Sequence, residues 1–216
     1  MNASIKIPTH LSEITLDQYQ RFLKVESESD DNYFIECKMI EIFCNVEYED
    51  VLKIQLSDAS NITEILRDMF SQKPELVRFF KMKGIEYGFH PCLEDLTLGE
   101  YIDLDTYIGD WDNMSSAMNV LYRPIKQRSD NKYLVEDYNP FDKGKMAYMP
   151  LDAVISSIFF LFLLGRDLSL HVMSPSLKDH QKQPHSHQDS PKNGDGMAQS
   201  LHSLKEILQD LKISLN

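Results

Sequence analysis

Ile14-Thr15-Leu16-Asp17-Gln18-Tyr19 and Leu96-Thr97-Leu98-Gly99-Glu100-Tyr101 are two copies of one pattern, and both read as helix starts. In each, the threonine can cap the helix while the Gln or Glu three residues later reaches back to it. Each is followed within about two dozen residues by a second apolar helix pattern, Ile35 to Val46 and Met114 to Tyr122. A helical hairpin used twice is a way of building surfaces rather than an active site.

Outward from these motifs the chain is mainly helical, with small β-hairpins, an α+β class. Ser4 to Ile7 reads as a short strand before a first helix from Leu16 to Val25. Glu26 to Asp31 is an acidic linker, and Asp30 or Asp31 can cap the helix that follows. Ser57 or Ser60 starts a helix that ends near Ser71, ahead of Lys73-Pro74. Ile85, Tyr87 and Phe89 alternate with Glu86 and Gly88, and Lys83-Gly84 sits where a hairpin turn belongs. Ile125 to Glu136 offers a second hairpin, with Ser129-Asp130-Asn131 as its turn and Tyr133 and Val135 as its apolar face. Pro150 suits the first turn of a long helix running towards His171 or Met173. Because that helix is apolar nearly all round, it is expected at the centre of the core.

The sequence thus divides into a compact helical domain over residues 1–174, a linker over 175–196 and a C-terminal helix over 197–216. The linker has no apolar anchor around Lys178-Asp179-His180-Gln181-Lys182 and is expected to be disordered. In the last segment Leu201, Leu204, Leu208, Leu211 and Leu215 fall at alternating spacings of three and four, one apolar stripe on an amphipathic helix. Such a stripe can lie on its own domain, self-associate or dock into a partner's groove.

With 216 residues the chain suits one domain plus an appendage, and its net charge of -12 argues against nucleic-acid binding, which needs a basic face. No Lys or Arg occurs between Pro91 and Tyr122, so that stretch repels nucleic acid and anionic lipid alike. The N-terminus shows no signal pattern. The apolar block Ala153 to Gly165 spans 13 residues, short of the roughly 20 a membrane span requires. Cys37, Cys44 and Cys92 have no zinc-like spacing and read as free thiols.

Asp103-Leu104-Asp105 and Asp110-Trp111-Asp112-Asn113 invite a calcium reading. An EF-hand-type loop needs Gly at its sixth position and Glu at its twelfth. Those places hold Ile108 and Met114 counted from Asp103, and Ser115 and Leu121 counted from Asp110. An acidic solvated face, with Asp110 or Asp112 capping the next helix, explains the residues more simply. His180, His185 and His187 sit in the linker without a shell to orient them. No nucleophile elbow, phosphate loop or His-Glu-x-x-His motif occurs, and His90 beside Cys92 is adjacency alone. No catalytic residue, metal ligand or cofactor is therefore expected. Trp111 can be a partner-binding anchor or the plug at the end of a helical hairpin.

The segments Asp95-Leu96-Thr97-Leu98-Gly99-Glu100-Tyr101-Ile102-Asp103-Leu104 and Ala117-Met118-Asn119-Val120-Leu121-Tyr122-Arg123-Pro124 carry a family resemblance. So do Met149-Pro150-Leu151-Asp152-Ala153, Asn193-Gly194-Asp195-Gly196 and His202-Ser203-Leu204-Lys205-Glu206. Together they resemble proteins of tailed bacteriophages, including crAss-like phages and their marine relatives. The pattern looks like that of tail assembly chaperones and related morphogenesis factors. The resemblance implies an acidic, non-enzymatic protein that binds a phage tail or head protein before assembly, in the host cytoplasm or in the virion. It implies neither nucleic-acid nor membrane partners, and supplies no catalytic residues. Trp111 and the five leucines of the C-terminal stripe are the expected partner-binding residues. The alternatives are a structural virion component, such as a connector or cargo protein, and a metal-dependent enzyme built on Asp103 to Asp112.

Overall fold

The computed structural model describes residues 5–72, 75–129 and 132–176. Thr15 opens helix α1 (Leu16–Glu28) with the expected capping box. The Gln18 amide donates to Thr15 Oγ1 at 3.3 Å, and the Thr15 amide donates to Gln18 Oε1 at 3.0 Å. Glu26 to Glu28 are therefore helical rather than linker, since Glu and Ser are tolerated in a last helical turn. Asp31 caps α2 (Asn32–Cys44) by accepting from the amides of Tyr33 and Phe34, and Asn45 closes it at φ 53°. A single turn, α3 (Tyr48–Val51), leads to α4 (Leu56–Phe70), which begins just before Ser57 and ends at Ser71.

The first hairpin forms as the alternation predicts, β1 (Phe79–Met82) against β2 (Ile85–Phe89). Lys83 and Gly84 both take positive φ, 51° and 81°, the turn geometry whose twist matches the strands. One other expectation differs. Ile5 to Ile7 form no strand, having no edge to pair with; Lys6 and Thr9 instead hold Glu13. The second expected hairpin also forms, and it is joined to the first. Strand β3 (Tyr122–Ser129) pairs with both β2 and β4 (Lys132–Val135), giving one antiparallel sheet in the order β1-β2-β3-β4.

The insertion between β2 and β3 is the second helical hairpin, α5 (Leu98–Tyr107) and α6 (Met114–Leu121). No loop separates Leu121 from Tyr122: α6 becomes β3 directly. Phe89 then lies opposite Tyr122, Gly88 opposite Arg123 and Tyr87 opposite Pro124. A 3-10 segment (Pro140–Tyr148) covers α6 and delivers the chain to α7 (Leu151–Ser176), with Pro150 just ahead of it. Since α7 reaches Ser176, the first two residues of the expected linker are helical. The rest of that linker and the leucine stripe lie outside the described residues.

Helix α7 is central, as its composition predicts: Leu151, Ala153, Val154 and Ile158 are fully buried. The Tyr122 hydroxyl, also buried, donates to the carbonyls of Val77 (2.7 Å) and Ala153 (3.2 Å), joining sheet to helix. Methionine fills much of the remaining core, with Met114, Met118 and Met149 fully enclosed. Among the described residues no helix is long and apolar enough to cross a membrane.

The repeated motif is a structural repeat and extends upstream. A 3-10 turn precedes each copy, Leu11–Glu13 and Leu93–Asp95. The Ile14 amide donates to the Leu11 carbonyl at 3.2 Å, and the Leu96 amide to the Leu93 carbonyl at 3.4 Å. Each box then turns its third helical side chain inward. Gln18 donates to the Ile42 carbonyl of α2 at 2.7 Å, while Glu100 pairs with Arg123 at 2.5 Å. Both partners of that ion pair are nearly enclosed, at 7–8% side-chain exposure. Arg123 is further held by the carbonyls of Val120 and Glu136 and by the Tyr138 ring.

Burial alone would raise the Glu100 pKa, but the Thr97 backbone and hydroxyl and the Arg123 guanidinium outweigh it, so the carboxyl stays below its ordinary 4.5. A group lowered on folding stabilises the fold fully above its unfolded pKa, and that contribution is lost as pH falls through the folded value. Glu100→Gln should retain the cap, as Gln18 does in the first copy, while leaving Arg123 buried and unpaired. A loss of about 3 kcal/mol is expected in urea unfolding at pH 7, shrinking as pH falls below the ordinary 4.5 and the wild-type carboxylate itself comes to be protonated.

Candidate functional site

The segment His90 to Asp95 leaves β2 and climbs to α5, and in doing so forms one wall of a cleft of about 1080 Å³. Residues Lys132 to Leu134 of β4 line it as well, with Phe160 and Leu164 of α7. The volume lies at the upper limit of small-molecule pockets, roughly 300–1,000 Å³. Leu134 is 59% exposed and Leu164 is 37% exposed, while Phe160 is half-buried, so apolar groups reach the mouth. Arg78 and Lys132 also line it with Glu94 and Asp95, so both signs of charge accompany the apolar groups.

The floor depends on a close approach. Tyr133 of β4 crosses β3 to lie over Gly88 of β2, where an added Cβ would meet the ring at 2.9 Å. Its hydroxyl donates to the Phe89 carbonyl, and its ring meets Phe79 of β1 edge-on at 4.9 Å between centroids. One side chain thus braces all four strands. Glycine is required here for space, not for backbone angle.

His90 and Cys92, two apart in sequence, both line this cleft. Burial first, then the Arg123 charge, lowers the His90 pKa, against the backbone of Cys92 and the carboxylates of Glu100 and Asp95. His90 is therefore neutral near pH 7, and its amide donates to the Leu121 carbonyl at 2.7 Å, tying the wall to α6. The other two thiols lie elsewhere. Burial pushes Cys44 up to about 11, which leaves it unreactive, and also raises Cys37.

The acidic stretch is engaged structurally. Asp103 accepts from the Tyr138 hydroxyl at 2.8 Å, and Asp112 pairs with Lys24 at 3.6 Å. Asp110 accepts from the Asp112 amide and the Asn113 side chain, one turn earlier than the expected cap on α6, whose N-cap is Asn113. Among the described residues no group of three or more potential metal ligands converges.

Trp111 lies on the α5–α6 connection, half-buried, with its ring edge-on to Tyr19 of the first motif at 4.9 Å. Gln20 donates to its carbonyl at 2.5 Å. It joins the two hairpins to each other and stands apart from the cleft lining. The five leucines of the C-terminal stripe lie outside the described residues. The cleft itself has little sequence signature, because its walls come from four separate segments; only the apolar, polar-poor run around Phe160 hinted at surplus hydrophobic surface.

Gly88→Ala should displace the Tyr133 ring and cost roughly 1–3 kcal/mol, read by thermal unfolding. Adding Tyr133→Leu to Gly88→Ala should return part of that loss, since the clash is with that ring.

Comparison with known protein families, curated proteins and solved structures finds no match to this chain.

Proposed function

We propose that the protein works by binding rather than by chemistry, holding an apolar segment of a partner protein in the cleft between β4, the His90–Asp95 wall and α7. The observation that carries this is the apolar lining itself, in which Leu134 and Leu164 are exposed and Phe160 is half-buried. Exposed apolar groups in a concave setting mark interaction sites more often than scattered surface leucines do. The volume suits a short stretch of polypeptide. The net charge of -12 keeps a chain with exposed apolar surface soluble.

The resemblance to phage morphogenesis factors gives the class of partner: a tail or head protein bound in the host cytoplasm before assembly. The acidic cluster at Asp103 to Asp112 gives the metal-enzyme alternative no support, because its carboxylates are spent on Tyr138, Lys24 and local turns.

The test is binding of purified protein to individual tail and head proteins from the phages it resembles, followed by biolayer interferometry. Wild type should bind one of them, and Leu134→Glu with Leu164→Glu should weaken that binding about tenfold or more. Both positions are exposed, so circular dichroism should show an unchanged fold. Equal binding by the double variant, or no binding by wild type to any of the panel, overturns the reading.

A further inference from the structure

The two copies of the cap motif share backbone geometry but not surroundings. In the first, Leu16 is fully buried and Tyr19 is 7% exposed; in the second, Leu98 is 74% and Tyr101 47% exposed. The cause is a strap. Met149-Pro150-Leu151 runs antiparallel across the first copy: the Leu16 amide donates to the Met149 carbonyl at 3.0 Å, and the Leu151 amide to the Ile14 carbonyl at 2.9 Å. Met149 and Leu151 are themselves fully buried there. Among the described residues nothing makes the equivalent bonds to the Leu98 amide and the Leu96 carbonyl. Ile102, one turn on, is also exposed, at 52%.

We infer that the second motif is a docking surface for an extended, apolar, basic segment of a partner protein, which bridges Leu96 and Leu98 as Met149-Pro150-Leu151 bridges Ile14 and Leu16. The first copy shows what such a backbone can hold: two hydrogen bonds flanking apolar side chains, a single step of strand addition. Charge selects the occupant. Glu94 and Asp95 lie in the turn before the motif, Asp103 and Asp105 follow on α5, and no Lys or Arg occurs from Pro91 to Tyr122. Arg123, the first cation after that stretch, is buried against Glu100. A second copy of this chain carries -12 and is repelled, and its own strap is already engaged. Residues 177–216 hold five Lys and five acidic residues, with no basic excess to offer. The inference rests on the protein-binding reading but not on the cleft.

The experiment titrates the blocked peptide Lys-Tyr-Met-Pro-Leu-Lys into the 15N-labelled full chain. Amides of Leu96 to Tyr101 should shift and saturate at about 0.1–1 mM peptide. Leu98→Asp, at a site too exposed to disturb folding, should weaken this about tenfold. A peptide with Glu in place of both Lys should bind more weakly still, and added salt should reduce the difference. The Leu134→Glu, Leu164→Glu protein should bind the peptide as wild type does, so that loss of the cleft and loss of this surface are separable. No saturable shift at Leu96 to Tyr101, or shifts at Thr15 to Tyr19 instead, overturns the inference. So do shifts at Leu96 to Tyr101 that arise without peptide on concentrating the protein, which assign the surface to a second copy. Movement of those amides in a Leu204→Asp, Leu208→Asp variant without peptide would assign it to the chain's own C-terminal segment, with the same consequence.

Discussion

The ion pair between Glu100 and Arg123 is the constraint to which much of the remaining structure answers. Glu100 already serves the Thr97 amide as the return half of a capping box. To reach a guanidinium as well, the residue after α6 and Tyr122 must fall beneath the first turn of α5, which fixes how the second hairpin closes. Arg123 is also a strand residue, lying opposite Gly88 in the central pairing. One buried contact therefore sets the helical hairpin against the sheet and the sheet's register against the helices. Taking both charges out of water costs several kcal/mol, which the pairing and further hydrogen bonds offset. Here the Val120 and Glu136 carbonyls accept from Arg123 Nε and Nη1, the Tyr138 ring lies against the guanidinium, and the Thr97 amide donates to the Glu100 carboxylate.

What could be read from the sequence was what is local. Both capping boxes, the Asp31 cap and the Lys83-Gly84 turn follow from side chains within four residues of one another, and all are present. The long apolar helix followed from composition, since a segment with no polar face has to be enclosed. Pairing of β2 with β3 left no such trace, because residues 90–121 intervene and Tyr122 continues the helical apolar spacing of α6. Nor could periodicity reveal that Glu100 meets Arg123 or that Tyr133 covers Gly88. The cleft was hidden for the same reason: its walls are assembled from four segments, each ordinary by itself.

Similar sequence has produced unequal burial. The two motifs fold alike through the 3-10 turn, the cap and the inward third residue, yet only one is covered. The difference lies in what the fold delivers to each: the end of the 3-10 segment Pro140–Tyr148 presents Met149 to the first copy, and no described segment comes to the second. Tethering adds to this. Trp111 against Tyr19, with the exposed Asp112–Lys24 pair beside it, joins the connection of the second hairpin to the first helix.

The loopless joint between α6 and β3 also orders events in time. Bringing Tyr122 beside Phe89 closes a ring containing the whole α5–α6 hairpin, and the entropy of that closure precedes any gain from the strand ladder. Collapse of the helical hairpin shortens the ring and sets Tyr122 at its end, already extended and facing the sheet. The β1–β2 and β3–β4 hairpins can each zip locally, but they merge only after the helices between them have formed. The sheet is thus completed by its neighbours, and folding rate should follow the stability of α5 and α6 more closely than that of any strand.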